Sequence, residues 1–200
     1  MSAQALSSQV DVRTSCICYF GGDPTPQLGH AIATARLARK ENKGKILRIC
    51  WESNGSMHRS LLNEVARLSM ESGGCIKFDL KAYDQRLHLA LCGVSNERTL
   101  ENFAWLANMA EERTAPPFLI ASTLLVPGYV DEEEVRRIAG FIATLNTDIP
   151  YALLAFYPHF FMADLPTTSR NHALRCREAA LKQGLKNIRV GNLHLLGSDY

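Results

Sequence analysis

Two hundred residues, 46% hydrophobic and 21% charged, are enough for one globular domain or most of one. A formal charge of +2, with 22 lysines and arginines scattered along the chain, leaves no basic block of the kind a nucleic acid needs. No apolar run reaches the ~18 residues of a membrane span, and MSAQALSSQV lacks the basic and apolar regions of a signal peptide. A cytoplasmic setting is therefore expected, with the six cysteines as reduced thiols.

Strand-like and helix-like stretches alternate from residue 13 onward. Apolar, β-rich runs fall at 15–20 (SCICYF), 45–51 (KILRICW), 75–80 (CIKFDL), 118–126 (FLIASTLLV), 151–157 (YALLAFY) and 187–192 (NIRVGN). Helical patterns fill 26–42, 57–72, 97–112, 131–146 and 168–184. Pro26 suits a first helical turn. Asp131 ahead of Glu132, Glu133 and Glu134 suits the positive end of a helix dipole. Gly184 suits a helix C-terminus. The stretch 82–96 reads as a short helix and a loop. Strands recur every 30–40 residues or so, roughly the size of a βαβ unit. Parallel strands covered by helices are expected. Residues 1–12 are expected to be irregular and 13–200 to form one domain.

Two of the strands carry charge where a buried parallel strand should be apolar. By the period of two, Arg48, Cys50 and Glu52 share one face, and so do Cys75, Lys77, Asp79 and Lys81. Ile49, Trp51, Ile76, Phe78 and Leu80 then face the helices. Charges on an enclosed face are costly unless paired or used. Pairing would join Arg48 to Glu52 and Lys77 to Asp79. Use would put Glu52, Asp79 and Lys81 against a ligand, because ligands of parallel α/β folds sit at the strands' C-terminal ends.

The strand SCICYF runs directly into Gly21-Gly22-Asp23-Pro24. Paired glycines let a backbone approach a ligand closely, and a carboxylate with carbonyls can accept from an ammonium. This segment resembles the GGEP motif of radical S-adenosylmethionine (SAM) enzymes, with Asp for Glu. WESNG (51–55) resembles their E-T-N-G, KFDLKA (77–82) their D-L-K strand end, STLLVPGYVD (122–131) their V-V-P-G-x-x-D, and FYPHF (156–160) a later L-P-Y-H-like segment. The nearest group is that of proteins related to pyruvate formate-lyase activating enzyme. The resemblance implies an α/β, partial (βα)6-type parallel barrel that lacks its first βα unit. It implies SAM and a [4Fe–4S] cluster as cofactors. It also implies SAM contacts at Gly21, Gly22, Asp23, Pro24, Glu52, Asn54, Asp79, Lys81 and His159.

The sequence departs from the family at the metal. The cluster motif CxxxCxxC is absent, the cysteines being 16, 18, 50, 75, 92 and 176. Only 20 residues precede Gly21, where the family places a strand, the cluster loop and a helix. The cluster segment is therefore expected to be missing from this chain, with a separate N-terminal polypeptide as one source. Cys16 and Cys18 read as small hydrophobes in a buried strand. Cys92 and Cys176 need no special role. His30, His58, His88, His172 and His194 read as surface or helix residues.

Two readings compete: a radical SAM protein, activating-enzyme-like, whose cluster segment lies elsewhere, or a degenerate barrel binding SAM or a small molecule without catalysis. A third, a Schiff-base enzyme using Lys77 or Lys81, leaves the glycine, Asn-Gly and Pro-Gly segments unexplained. The substrate, small molecule or protein, is not named by the sequence. Neither nucleic acid nor membrane is expected as a partner.

Overall fold

The apolar runs become six parallel strands, hydrogen-bonded in the order of the sequence. They are β1 (Cys16–Tyr19), β2 (Arg48–Ser53), β3 (Ile76–Asp79), β4 (Leu119–Leu125), β5 (Tyr151–Ala155) and β6 (Ile188–Gly191). The helices are α1 (Ala3–Ser7), α2 (Leu28–Glu41), α3 (Arg59–Ser72), α4 (Gln85–Cys92), α5 (Glu97–Ala110), α6 (Glu132–Leu145) and α7 (Arg170–Leu181). This computed structural model describes residues 1–113 and 115–199. The described chain forms two compact units, Met1–Phe78 with Glu101–Leu119, and Asp79–Leu100 with Ile120–Tyr200.

In the first unit the period-two reading of β2 and β3 is the observed one. Ile49, Trp51, Ile76 and Phe78 are buried, while Arg48, Cys50, Glu52, Cys75 and Lys77 are half-buried. The apolar face lies against helices. The Ser69 hydroxyl of α3 donates to the Ile49 carbonyl (2.8 Å), and the Ile49 N–H donates to Ser72 (2.9 Å). Phe78 packs against Phe103 of α5 with ring centroids 6.0 Å apart. Each such buried side chain contributes about 1.5–3 kcal/mol.

β1 corrects one expectation. Cys16 and Cys18 are exposed, not buried. The reason is the strand's place: β1 ends the sheet order and, among the described residues, pairs only with β2. An edge strand with free main-chain N–H and C=O groups invites pairing with another chain. The chain is expected to self-associate, so size-exclusion chromatography should show the apparent mass rising with concentration; a concentration-independent monomer would count against it.

The N-terminus corrects another. Residues 3–7 are helical, capped by the Ser2 side chain, and the buried Ser7 hydroxyl donates to Glu41 at the end of α2 (2.6 Å). One local cap and one long-range hydrogen bond order this short segment. Met1 and Val12 remain exposed.

In the second unit, polar residues tie the strands to one another. The Tyr151 hydroxyl donates to Thr123 (2.8 Å), whose own hydroxyl donates to the Leu80 carbonyl (2.7 Å). Thr168 accepts from the Phe156 N–H and donates to the Leu125 carbonyl, both at 2.7 Å. Asp131 caps α6 as expected, accepting from the Glu133 and Glu134 N–H groups. Asp84 caps α4, which resolves the stretch 82–96 into a helix and a loop. His88 and His172 lie on helices but are buried, each with a carbonyl partner, Val94 and Val130 respectively.

Candidate functional site

In the first unit, the chain leaves β1 through Gly21 (φ 88°) and Gly22 (φ 62°), both left-handed. A Cβ on either would meet nothing within 4 Å, so conformation, not crowding, requires glycine there. Asp23 follows, and its side chain is fixed. Its Oδ1 accepts from the Thr25 hydroxyl (2.9 Å), the Thr25 N–H (3.2 Å) and the Ser53 hydroxyl (2.9 Å). Pro24 then opens a single turn of 3-10 helix over Thr25–Gln27, which leads into α2. Oδ2 of Asp23 takes no part in these three bonds. A carboxylate held by one oxygen beside two left-handed glycines can offer the other oxygen, and neighbouring carbonyls, to a small cation.

Ser53 ends β2 and ties this arrangement to the segment after it, accepting from the Gly55 N–H (3.1 Å). Asn54 Oδ1 accepts from the N–H (2.9 Å) and hydroxyl (2.8 Å) of Ser56. Asn102 of α5, buried, donates to the carbonyls of Gly55 (2.8 Å) and Met57 (2.9 Å). Glu52 is paired with Lys77 at 2.6 Å, not with Arg48 as expected. Register decides this: Glu52 and Lys77 are direct neighbours across β2 and β3, whereas Arg48 is four residues away along its own strand.

In the second unit, Asp79 takes the Ser122 hydroxyl at 2.6 Å and the Lys81 ammonium at 2.7 Å. Lys81, not Lys77, is thus its partner. His159 is exposed, with its ring edge-on to Phe160 at 4.2 Å, among exposed Tyr157, Phe160 and Phe161. The sequence reading missed Thr25, Ser53, Ser122 and Asn102. Only Ser53 carried a signal, standing where the resembling motif has a hydroxyl-bearing threonine.

The six thiols are spread along the chain, Cys16, Cys18 and Cys50 on strands, Cys75 just ahead of β3, and Cys92 and Cys176 on helices. Among the described residues no group of three His, Cys, Asp or Glu side chains could hold a metal ion. Cys16 and Cys50 lie with their sulfurs 3.4 Å apart on neighbouring strands, not on a loop that could wrap a cluster. No helix of the described chain is long and apolar enough to cross a membrane.

A family model described as the radical SAM superfamily matches residues 3–142. A Methanocaldococcus jannaschii protein named for glycyl-radical enzyme activation is 27% identical over 172 residues, covering 86% of this chain and 61% of that protein. The isethionate sulfite-lyase activating enzyme of Oleidesulfovibrio alaskensis is 30% identical over 142 residues, 70% of this chain and 41% of that one. This chain thus spans at most about three fifths of these relatives. Among solved structures, a domain of pyruvate-formate lyase-activating enzyme from Bacteroides vulgatus superposes with a TM-score of 0.68 at 21% identity, covering 88% of this chain and 98% of that one. At that identity the likeness concerns the fold, and the α/β arrangement of six parallel strands agrees with it.

Proposed function

The chain belongs to the radical SAM superfamily, and from that premise we propose that it binds SAM through Gly21, Gly22, Asp23 and Pro24. The observation that carries this reading is the left-handed glycine pair followed by a carboxylate anchored on Thr25 and Ser53. The methionyl ammonium of SAM suits the second oxygen of Asp23 and the glycine carbonyls. Glu52 and Asn54 are proposed as further contacts in the same unit. The family resemblance nominates Asp79, Lys81 and His159 of the second unit, each to be tested by its own substitution. Bound SAM supplies a sulfonium carbon–sulfur bond, which radical SAM chemistry cleaves by reduction.

The six cysteines do not fit a [4Fe–4S] cluster, so in this proposal its thiolates come from other residues, such as a separate cluster-bearing polypeptide. The role is activating-enzyme-like, toward a protein substrate, in a cytoplasmic setting. A second reading, a SAM-binding domain without catalysis, needs only the glycine pair and the anchored Asp23 carboxylate. Equilibrium dialysis with SAM should show weak binding that Asp23→Ala weakens by a further ~10–100-fold, the worth of one hydrogen bond to a charged group. Binding unaffected by Asp23→Ala would sink the proposed contact. Anaerobic reconstitution with iron, sulfide, dithionite and SAM should give no 5′-deoxyadenosine from this chain alone. Turnover above background would mean that these cysteines do assemble a cluster. Turnover gained on co-expression with a CxxxCxxC-bearing polypeptide would favour the first reading over the second.

A further inference from the structure

Four thiols gather on the polar face of the first three strands, apart from the glycine loop. Cys18 lies directly opposite Cys50 in the β1–β2 register. Cys16 precedes Cys18 by two residues on the same face, and Cys75 immediately precedes β3. The Cys16 thiol donates to Cys50 Sγ across 3.4 Å, and the Cys75 N–H reaches the same sulfur from the other side, also at 3.4 Å. Cys50 is the acceptor at the centre of this group. It is half-buried, and Cys16 beside it is exposed. A reachable thiol with a second thiol already at hand is the arrangement that thiol–disulfide exchange uses.

We propose that Cys50 and Cys16 form an exchange site for low-molecular-weight disulfides, with Cys50 attacking and Cys16 resolving. The Cys50 thiolate attacks one sulfur of glutathione disulfide, forms a mixed disulfide and expels glutathione thiolate, which takes a proton from water. Cys16 gives its proton to water and attacks the Cys50 sulfur. The second glutathione leaves, and a Cys16–Cys50 disulfide remains. Two protein thiols are oxidised and one small disulfide is reduced to two thiols, so no other oxidant is needed. The 3.4 Å gap must close to the roughly 2 Å of a sulfur–sulfur bond. Among the described residues β1 has a strand partner on one side, β2, and none on the other.

The surroundings place the charge on the central sulfur. The Cys75 thiol, the Cys75 N–H, the Cys16 thiol and the Arg48 charge together outweigh burial and hold the Cys50 thiol down to about 6. Burial and the bond to Cys50 push Cys16 up to about 12. Its bond to Cys50 pushes Cys75 up as well. Cys18 is raised by burial, with Glu52 and Lys77 acting on it in opposite senses. Once Cys50 is capped as a mixed disulfide, its negative charge is gone and Cys16 deprotonates more readily.

The test is to treat the reduced full chain with glutathione disulfide near neutral pH, quench with acid and map the cysteines by mass spectrometry. The expected products are a Cys16–Cys50 linked peptide, a glutathione adduct that accumulates on Cys50 in Cys16→Ser, and neither in Cys50→Ser. A second measurement needs no variant. At pH 6.5, limiting iodoacetamide should modify Cys50 about ten-fold faster than the exposed Cys92, since only the thiolate reacts. Below pH 6 the rate at Cys50 itself should fall as Cys50 takes up its proton, whereas its advantage over Cys92 should shrink only as pH rises and Cys92 ionises. Glutathione on Cys92 or Cys18 with Cys50 unmodified would overturn the proposal. So would a bridge from Cys50 to Cys75, or thiols that react only after a chelator strips a bound metal.

Discussion

Gly74→Ala is expected to destabilise the protein by at least about 3 kcal/mol, and its neighbour Gly73→Ala by only about 1 kcal/mol. The two glycines end α3 for different reasons. Gly73 is its left-handed cap (φ 75°), yet a Cβ there would have no neighbour nearer than 3.9 Å. Alanine at 73 meets only the modest cost of the left-handed conformation. Gly74 lies against the backbone of β2. A Cβ on it would sit 1.9 Å from the Ile49 carbonyl oxygen, 2.5 Å from the carbonyl carbon and 2.8 Å from the nitrogen. No side chain there can swing aside. Either β2 moves, with its pairing to both β1 and β3, or α3 loses the Ser69 and Ser72 hydroxyls that hold Ile49. Urea unfolding followed by circular dichroism measures both variants. Alanine at 73 proving the costlier change would mean that Gly74 is not wedged against the β2 backbone.

Around the same strands, the faces are legible in the amino-acid sequence and the pair partners are not. Ile49, Trp51, Ile76 and Phe78 alternate with charged or thiol residues, and period two allows one assignment of faces once the strands are parallel. The turn after β1 is legible too, because two glycines can take the left-handed conformation and a proline can start the helical turn that follows. Glu52, by contrast, could reach Arg48 or Lys77, and only the β2–β3 register chooses. The exposure of Cys16 and Cys18 is hidden because a cysteine reads alike in a central or an edge strand. Ser122, Asn102 and Glu134 are hidden because a polar residue on a helix or strand is usually solvated. Here Glu134 is buried and accepts from the main-chain N–H groups of Tyr83 and Asp84.

Asn102 offers the other large effect, because one amide holds two main-chain carbonyls. It is 2% exposed on α5, and its Nδ2 donates to Gly55 and Met57. The segment it grips begins at Ser53, which anchors Asp23, and passes through Gly55, where φ is 74° and the Phe78 ring leaves no room for a Cβ. Asn102→Ala leaves both carbonyls without this donor and should cost about 3 kcal/mol, since a buried acceptor that loses its partner costs about 1–3 kcal/mol. Asn102→Asp should cost more at neutral pH. It keeps the size but turns a donor into a charged acceptor facing two carbonyl oxygens. Burial and that repulsion raise the new carboxyl's pKa above its unfolded value. The folded protein then binds the proton more tightly than the unfolded chain, so the Asp variant should regain stability as pH falls through the raised pKa. Asn102→Ala should show no such pH-dependent gain relative to wild type. Unfolding midpoints for the three proteins from pH 4 to pH 8 decide it: an Asp variant that tracks the Ala variant at every pH would mean that Asn102 does not hold these carbonyls.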